Sequence, residues 1–128
     1  MPSFIVALFL VAHGLVHASF ARTPSDVTAG TSQWPFDLSR SWVLSPLGLG
    51  SRGCRAIGLG LLAVVIVGYV AAAVGALGIA SALFVPGVVA GSIASIAMLV
   101  LFFHRWLVLG LAIDAALLWA VLANGWRP

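Results

Sequence analysis

Four apolar runs, each close to the length a helix needs to cross a lipid bilayer, constrain this chain more than any other feature of its sequence. A hydrocarbon core about 30 Å thick takes about 20 apolar residues in a helix that rises about 1.5 Å per residue. The runs cover about residues 3–20, 56–77, 83–103 and 106–123. Lipid offers no hydrogen-bond partner to the backbone, so runs of this length satisfy their own N–H and C=O groups by coiling into helices. The expected fold class is all-α, a polytopic membrane protein with a single domain over residues 1–128 built as a bundle of four transmembrane helices. Gly75, Gly78 and Pro86 break what would otherwise be one long apolar stretch and predict a tight hairpin between the second and third spans.

The first run has the short length of a cleaved leader, and Ala18-Ser19-Phe20-Ala21 offers a faint small-residue cleavage pattern. It lacks a Lys or Arg ahead of its apolar part, however, and carries His13 and His17 inside it. Retention as a membrane span is the expectation.

Composition excludes several classes of function. Hydrophobic residues make up 62% of the 128 and charged residues 7%, against about a quarter charged in an ordinary soluble domain. The cations are Arg22, Arg40, Arg52, Arg55, Arg105 and Arg127, and the acids are Asp26, Asp37 and Asp114. Nucleic acid needs a clustered basic face that neutralises several phosphates, and here only Arg52 and Arg55 lie close together. No nucleic-acid partner is expected, and the lipid bilayer is. Cys54 is the single cysteine, which rules out an intrachain disulfide or a CxxC redox pair. The bias toward Arg, Ala, Gly, Val and Leu suits a GC-rich bacterium and a place in its inner membrane.

With four spans, the long loop and the third-to-fourth turn share one side, which holds five of the six arginines, and the other side holds Arg127 alone. Arginine-rich loops stay in the cytoplasm, so both termini are predicted to be extracytoplasmic. The long connection, residues 21–53, is polar but carries Trp34, Phe36, Trp42, Val43 and Leu44. Leu38 and Trp42 are one helical turn apart and Pro35 suits a first turn, so Trp34 to Ser45 reads either as a short helix lying at the interface or as a loop lid packed on the bundle.

Gly87, Gly91 and Ser95 recur every four residues on the third span. Helices in lipid associate by close backbone approach, which small residues at this spacing permit, within one bundle or between two copies. Gly14 with Ala18, Gly68 with Ala72, and Gly110 are candidates for the same part.

Ionisable groups inside a membrane are costly enough that each needs a partner, a cavity or a task. This chain keeps His13 and His17 in the first span, Asp114 in the fourth, and His104 with Arg105 at the third-to-fourth turn. The i, i+4 spacing sets both first-span histidines on one helix face. Counted from the loop side, His13 and Asp114 lie at similar depth, and His17 and His104 lie nearer the surface. A facing His13–Asp114 pair would satisfy both groups, with His17 and His104 continuing a polar track. Three imidazoles and one carboxylate suit a divalent transition metal such as zinc, whereas haem would need histidines on facing helices. An interhelical hydrogen bond that fixes register, with no ligand, is the other reading. No nucleophile elbow, paired acids or phosphate-binding glycine loop points to an enzyme.

The first helix His13-Gly14-Leu15-Val16-His17, followed by a Trp-containing loop and three apolar spans with Ile113-Asp114 near the end, resembles a group of small uncharacterised bacterial four-helix membrane proteins that open with an H-G-aliphatic-aliphatic-H helix. The resemblance implies the architecture and singles out His13, His17 and Asp114, and carries no activity. The leading expectation is a non-enzymatic inner-membrane protein with an intramembrane His/Asp metal-binding or structural polar site. The alternatives are a haem or quinone redox subunit using His13, His17 and His104, and a small transporter or accessory subunit that forms a homo-oligomer, or joins a membrane partner, through Gly87, Gly91 and Ser95.

Overall fold

The computed structural model describes residues 2–21 and 36–128, and among these the secondary structure is entirely helical. Helix α1 spans Ser3–Ala18, α2 Ser51–Ala76, α3 Phe84–Leu101 and α4 Val108–Leu122. Short 3-10 turns extend α1 at Ser19–Ala21 and lead into α3 at Ser81–Leu83 and α4 at Arg105–Leu107. With those turns the helical segments run to 19, 26, 21 and 18 residues, all long and apolar enough to cross a membrane.

The boundaries follow local chemistry. After α2, the Gly78 amide bonds back to the Gly75 carbonyl and Gly78 takes φ +78°, a left-handed turn open to glycine. Pro86 falls in the first turn of α3, where its missing N–H leaves no gap in the helical ladder. The second helix starts at Ser51, five residues before the expected start at 56, because the polar stretch Ser51–Arg55 is already helical. Residues 102–104 leave the helix at the end of α3, with Phe102 at φ −116°, ψ 43°, so the third helix stops short of the expected 103.

Successive helices run antiparallel. Leu8 and Val11 of α1 border one groove with Val70 and Val74 of α2, and Gly14 lies against Tyr69. Gly68 meets Gly91, Ala72 meets Gly87, and Gly75 meets Phe84 along α2 and α3. On the α3–α4 side, Ser95 bonds Asp114 and Gly110 lies beside Leu99. The α2–α3 seam is backbone against backbone: a Cβ on Gly87 would stand 2.6 Å from the Ala72 nitrogen, and one on Gly68 2.7 Å from the Gly91 nitrogen. Gly87 and Gly91 are thus spent inside the bundle, buried against α2, and are not free for a second copy. Ser95 is buried as well, but its hydroxyl serves a polar cluster instead of a packing seam.

Two apolar layers fill the bundle. One, with Val6, Leu10, Ala72, Ala76, Phe84 and Val88, lies toward the α2–α3 hairpin. The other, with Phe20, Leu38, Leu62, Met98, Leu99 and Leu107, lies toward the long loop. Large apolar side chains such as Phe4, Val67, Ile93, Leu109 and Trp119 face outward, as they would toward lipid.

The described part of the long loop, residues 36–50, is a series of turns and contains no helix; Trp34 and Pro35, the start of the segment read as either an interfacial helix or a lid, lie outside the described residues. This segment packs on the bundle as a lid. Leu38 is buried in the loop-side layer. Ser41 Oγ donates to the Leu101 carbonyl at 2.6 Å and Trp42 Nε1 donates to the Val100 carbonyl at 2.7 Å, satisfying carbonyls that the end of α3 leaves without an intrahelical partner. Arg55 Nη2 does the same for the Ala21 carbonyl at 3.0 Å.

Candidate functional site

Between the two apolar layers, all four helices contribute to one hydrogen-bonded cluster. Asp114 sits about two turns into α4, or about 10 Å along the axis from Leu107, and is fully buried at 0% exposure. Its Oδ1 lies 2.8 Å from His13 Nε2 on α1 and also accepts from the Tyr69 hydroxyl on α2. Its Oδ2 lies 2.5 Å from Ser95 Oγ on α3. Ser95 Oγ in turn lies 2.8 Å from His17 Nε2, and His17 Nδ1 donates to the His13 carbonyl at 2.9 Å, one turn back along α1. Tyr69 OH and Ser92 Oγ are 3.0 Å apart. Among the described residues, no buried side-chain nitrogen or oxygen lacks a partner.

Local sequence explains each position. The i, i+4 spacing of His13 and His17 aims both rings at the bundle axis, where they meet edge to face with centroids 5.0 Å apart. Gly14 between them leaves room for Tyr69: a Cβ there would stand 3.3 Å from the Tyr69 Cβ, and one on Gly91 3.3 Å from the ring. The tyrosine is therefore held between a glycine of α1 and a glycine of α3, and that slot carries its hydroxyl to the carboxylate. Ser92 and Ser95, three residues apart, share the inner face of α3.

His13, His17 and Asp114 come together with ligand-type atoms within 4.8 Å of one another; the depth count paired His13 with Asp114 but set His17 nearer the surface, beside His104. His104 does not join them. The break after Leu101 carries it away from the helix face, and its Nδ1 instead accepts from the Trp106 amide at the start of the last helical segment. What connects the two ends is aromatic and not polar: His17 meets Phe20, Phe20 meets Phe36, and Phe36 meets His104, with centroids 5.5, 4.5 and 5.9 Å apart. The expected polar track is closed by phenylalanines.

Sequence reasoning missed Tyr69 and Ser92 and assigned Ser95 to packing. The available signal was depth. Tyr69 is the chain's one tyrosine, placed in the middle of an apolar span, and Ser95 is about as far below the end of α3 as Asp114 is below the start of α4.

As it stands, the cluster is closed by hydrogen bonds. With metal–ligand bonds of about 2.0–2.1 Å, two ligands in a tetrahedral shell stand about 3.4 Å apart. His13 Nε2 and Asp114 Oδ1 are closer, at 2.8 Å, and Ser95 is interposed between His17 and Asp114. Those are hydrogen-bond separations. No protein-family model, curated protein or solved structure matches the chain, so the geometry of this cluster carries the functional reading by itself.

Proposed function

We propose that the chain is a multi-pass integral protein of a bacterial inner membrane, not an enzyme, in which the Asp114 cluster is a polar clamp that fixes the register of four transmembrane helices. The observation that carries this is the convergence of α1, α2 and α3 on one α4 carboxylate. Away from that point α4 packs closely only on α3, and most of its surface faces outward. In lipid, where apolar side chains gain nothing by leaving the solvent for each other, hydrogen bonds and close packing set helix order. Asp114 ties to the bundle the helix that apolar packing holds least.

Metal analysis with chelation tests the clamp against a metal site. The purified protein is expected to contain no stoichiometric transition metal, and EDTA is expected to leave its melting temperature unchanged. One bound ion per chain, or a melting temperature that falls on chelation, would replace the clamp with a metal centre. A Soret band in the visible spectrum would replace it with haem.

Both termini are proposed to be extracytoplasmic, supported by the sequence, in which five arginines fall in or beside the connections on the long-loop side of the spans and Arg127 alone falls on the other. Compartment-specific reporters fused after Pro128 and within residues 25–30 are expected to report periplasm and cytoplasm respectively. A cytoplasmic signal from Pro128 would overturn this orientation.

A further inference from the structure

The hydrogen-bond pattern of the cluster bears on how many protons it holds. A backbone carbonyl only accepts, so the 2.9 Å contact from His17 Nδ1 to the His13 carbonyl places a hydrogen on Nδ1. His17 Nε2, Ser95 Oγ and Asp114 Oδ2 then form a chain with gaps of 2.8 and 2.5 Å. The serine hydroxyl has one hydrogen for its two neighbours. If His17 were neutral and Asp114 ionised, the serine would satisfy one of them and face the other acceptor to acceptor, at a separation that only a hydrogen bond makes favourable.

We infer that the His17–Ser95–Asp114 chain is a proton-binding site that holds one proton beyond those of a neutral histidine and a carboxylate. The proton takes either of two positions. With it on His17, Nε2–H donates to Ser95 Oγ and Ser95 O–H donates to Asp114 Oδ2, an imidazolium and a carboxylate bridged by serine. With it on Asp114, Oδ2–H donates to Ser95 Oγ and Ser95 O–H donates to His17 Nε2, and both end groups are neutral. Passage between them breaks the His17 N–H bond as the serine O–H forms, and breaks the original serine O–H as the Asp114 O–H forms, so one proton moves from imidazole to carboxyl and no charge leaves the site.

In both arrangements Asp114 Oδ1 still accepts from His13 and Tyr69, so the rest of the cluster is indifferent to the choice. The titratable groups that face the chain are His13 from α1 and Tyr69 from α2, and α3 adds the Ser92 hydroxyl. In each form the His17–Ser95–Asp114 chain carries no net charge, whereas loss of the extra proton would leave it with a net negative charge in the apolar centre of the bundle. His17 stands a helical turn nearer the long loop than His13 does, so the transfer runs along the bundle axis as well as across it.

The inference rests on the clamp reading, in that both require the cluster to be intact, but its readout is protonation and not stability. Histidine-15N NMR and infrared spectroscopy of the wild-type protein in lipid nanodiscs, at about pH 8, where exposed histidine is neutral, are expected to show one imidazolium or one carboxylic acid per chain, or fractions of each that sum to one. The infrared acid band should vanish in Asp114→Asn. Ser95→Ala should abolish the extra proton while the protein keeps a cooperative melting transition. Neutral histidines with a fully ionised Asp114 in the wild type would overturn the inference, even if Asp114→Leu proves the clamp correct. A Ser95→Ala protein that retains the imidazolium or acid signal would likewise overturn the serine's place in the chain.

Discussion

Replacing Gly87 with alanine is expected to destabilise the bundle by about 1–3 kcal/mol, the usual range for overfilling a close-packed interior. The added methyl would stand 2.6 Å from the Ala72 nitrogen and 2.7 Å from the Gly68 oxygen. Both are backbone atoms, so nothing can swing aside and α2 and α3 must separate along their length. Gly60 is the control: it lies on the exposed face of α2 with nothing within 4 Å of its Cβ position, and alanine there is expected to be neutral or to stabilise by up to about 1 kcal/mol through helix propensity. Steric-trap or denaturant unfolding in bicelles measures both. Equal responses at the two sites would mean that the α2–α3 seam is not the close backbone approach described. Because Gly91 on the same seam shapes the slot for Tyr69, separation of these helices should also loosen the bond to Asp114.

Asp114→Leu should cost about 2 kcal/mol. Three hydrogen bonds are lost, from His13, Tyr69 and Ser95, and interhelical bonds in membranes average about 0.6 kcal/mol each. Asp114→Asn should be close to wild type in stability. Its carbonyl oxygen keeps the bonds from His13 and Tyr69, and its NH2 donates to Ser95 in the place where a protonated carboxyl would. The amide thus reproduces one of the two proton arrangements and forbids the other. A leucine variant as stable as the asparagine variant would remove the clamp from the account.

The sequence makes the architecture legible for a physical reason: a bilayer has a fixed thickness, so run length alone separates spans from loops, and four runs of suitable length become four helices. It also makes the His13–Asp114 pairing legible, because depth can be counted in residues from either end of a helix. Rotation about the helix axis cannot be counted that way. Nothing in the run Leu62–Ala72 says which way Tyr69 points, and a hydropathy count treats Ser92 and Ser95 as small residues no different from the glycines around them. Their hydroxyls gain meaning only when Asp114 is placed beside them. His104 escapes the count, which assumes continuous helix and fails where the chain leaves α3 at Phe102. The loop was legible only as apolar side chains that need cover; that Ser41 and Trp42 spend their donors on the last carbonyls of α3 depends on where the loop lands.

The central claim is that helices α1 and α4 are joined across the bundle by His13 and Asp114. A double-mutant cycle with His13→Leu and Asp114→Leu, measured by reversible unfolding in a bilayer mimic, isolates that joint term from the other bonds each residue makes. A favourable coupling of about 0.6 kcal/mol is expected, the average for interhelical hydrogen bonds in membranes, whose largest values reach about 1.7 kcal/mol. A coupling of zero, with the two substitutions simply additive, would contradict it.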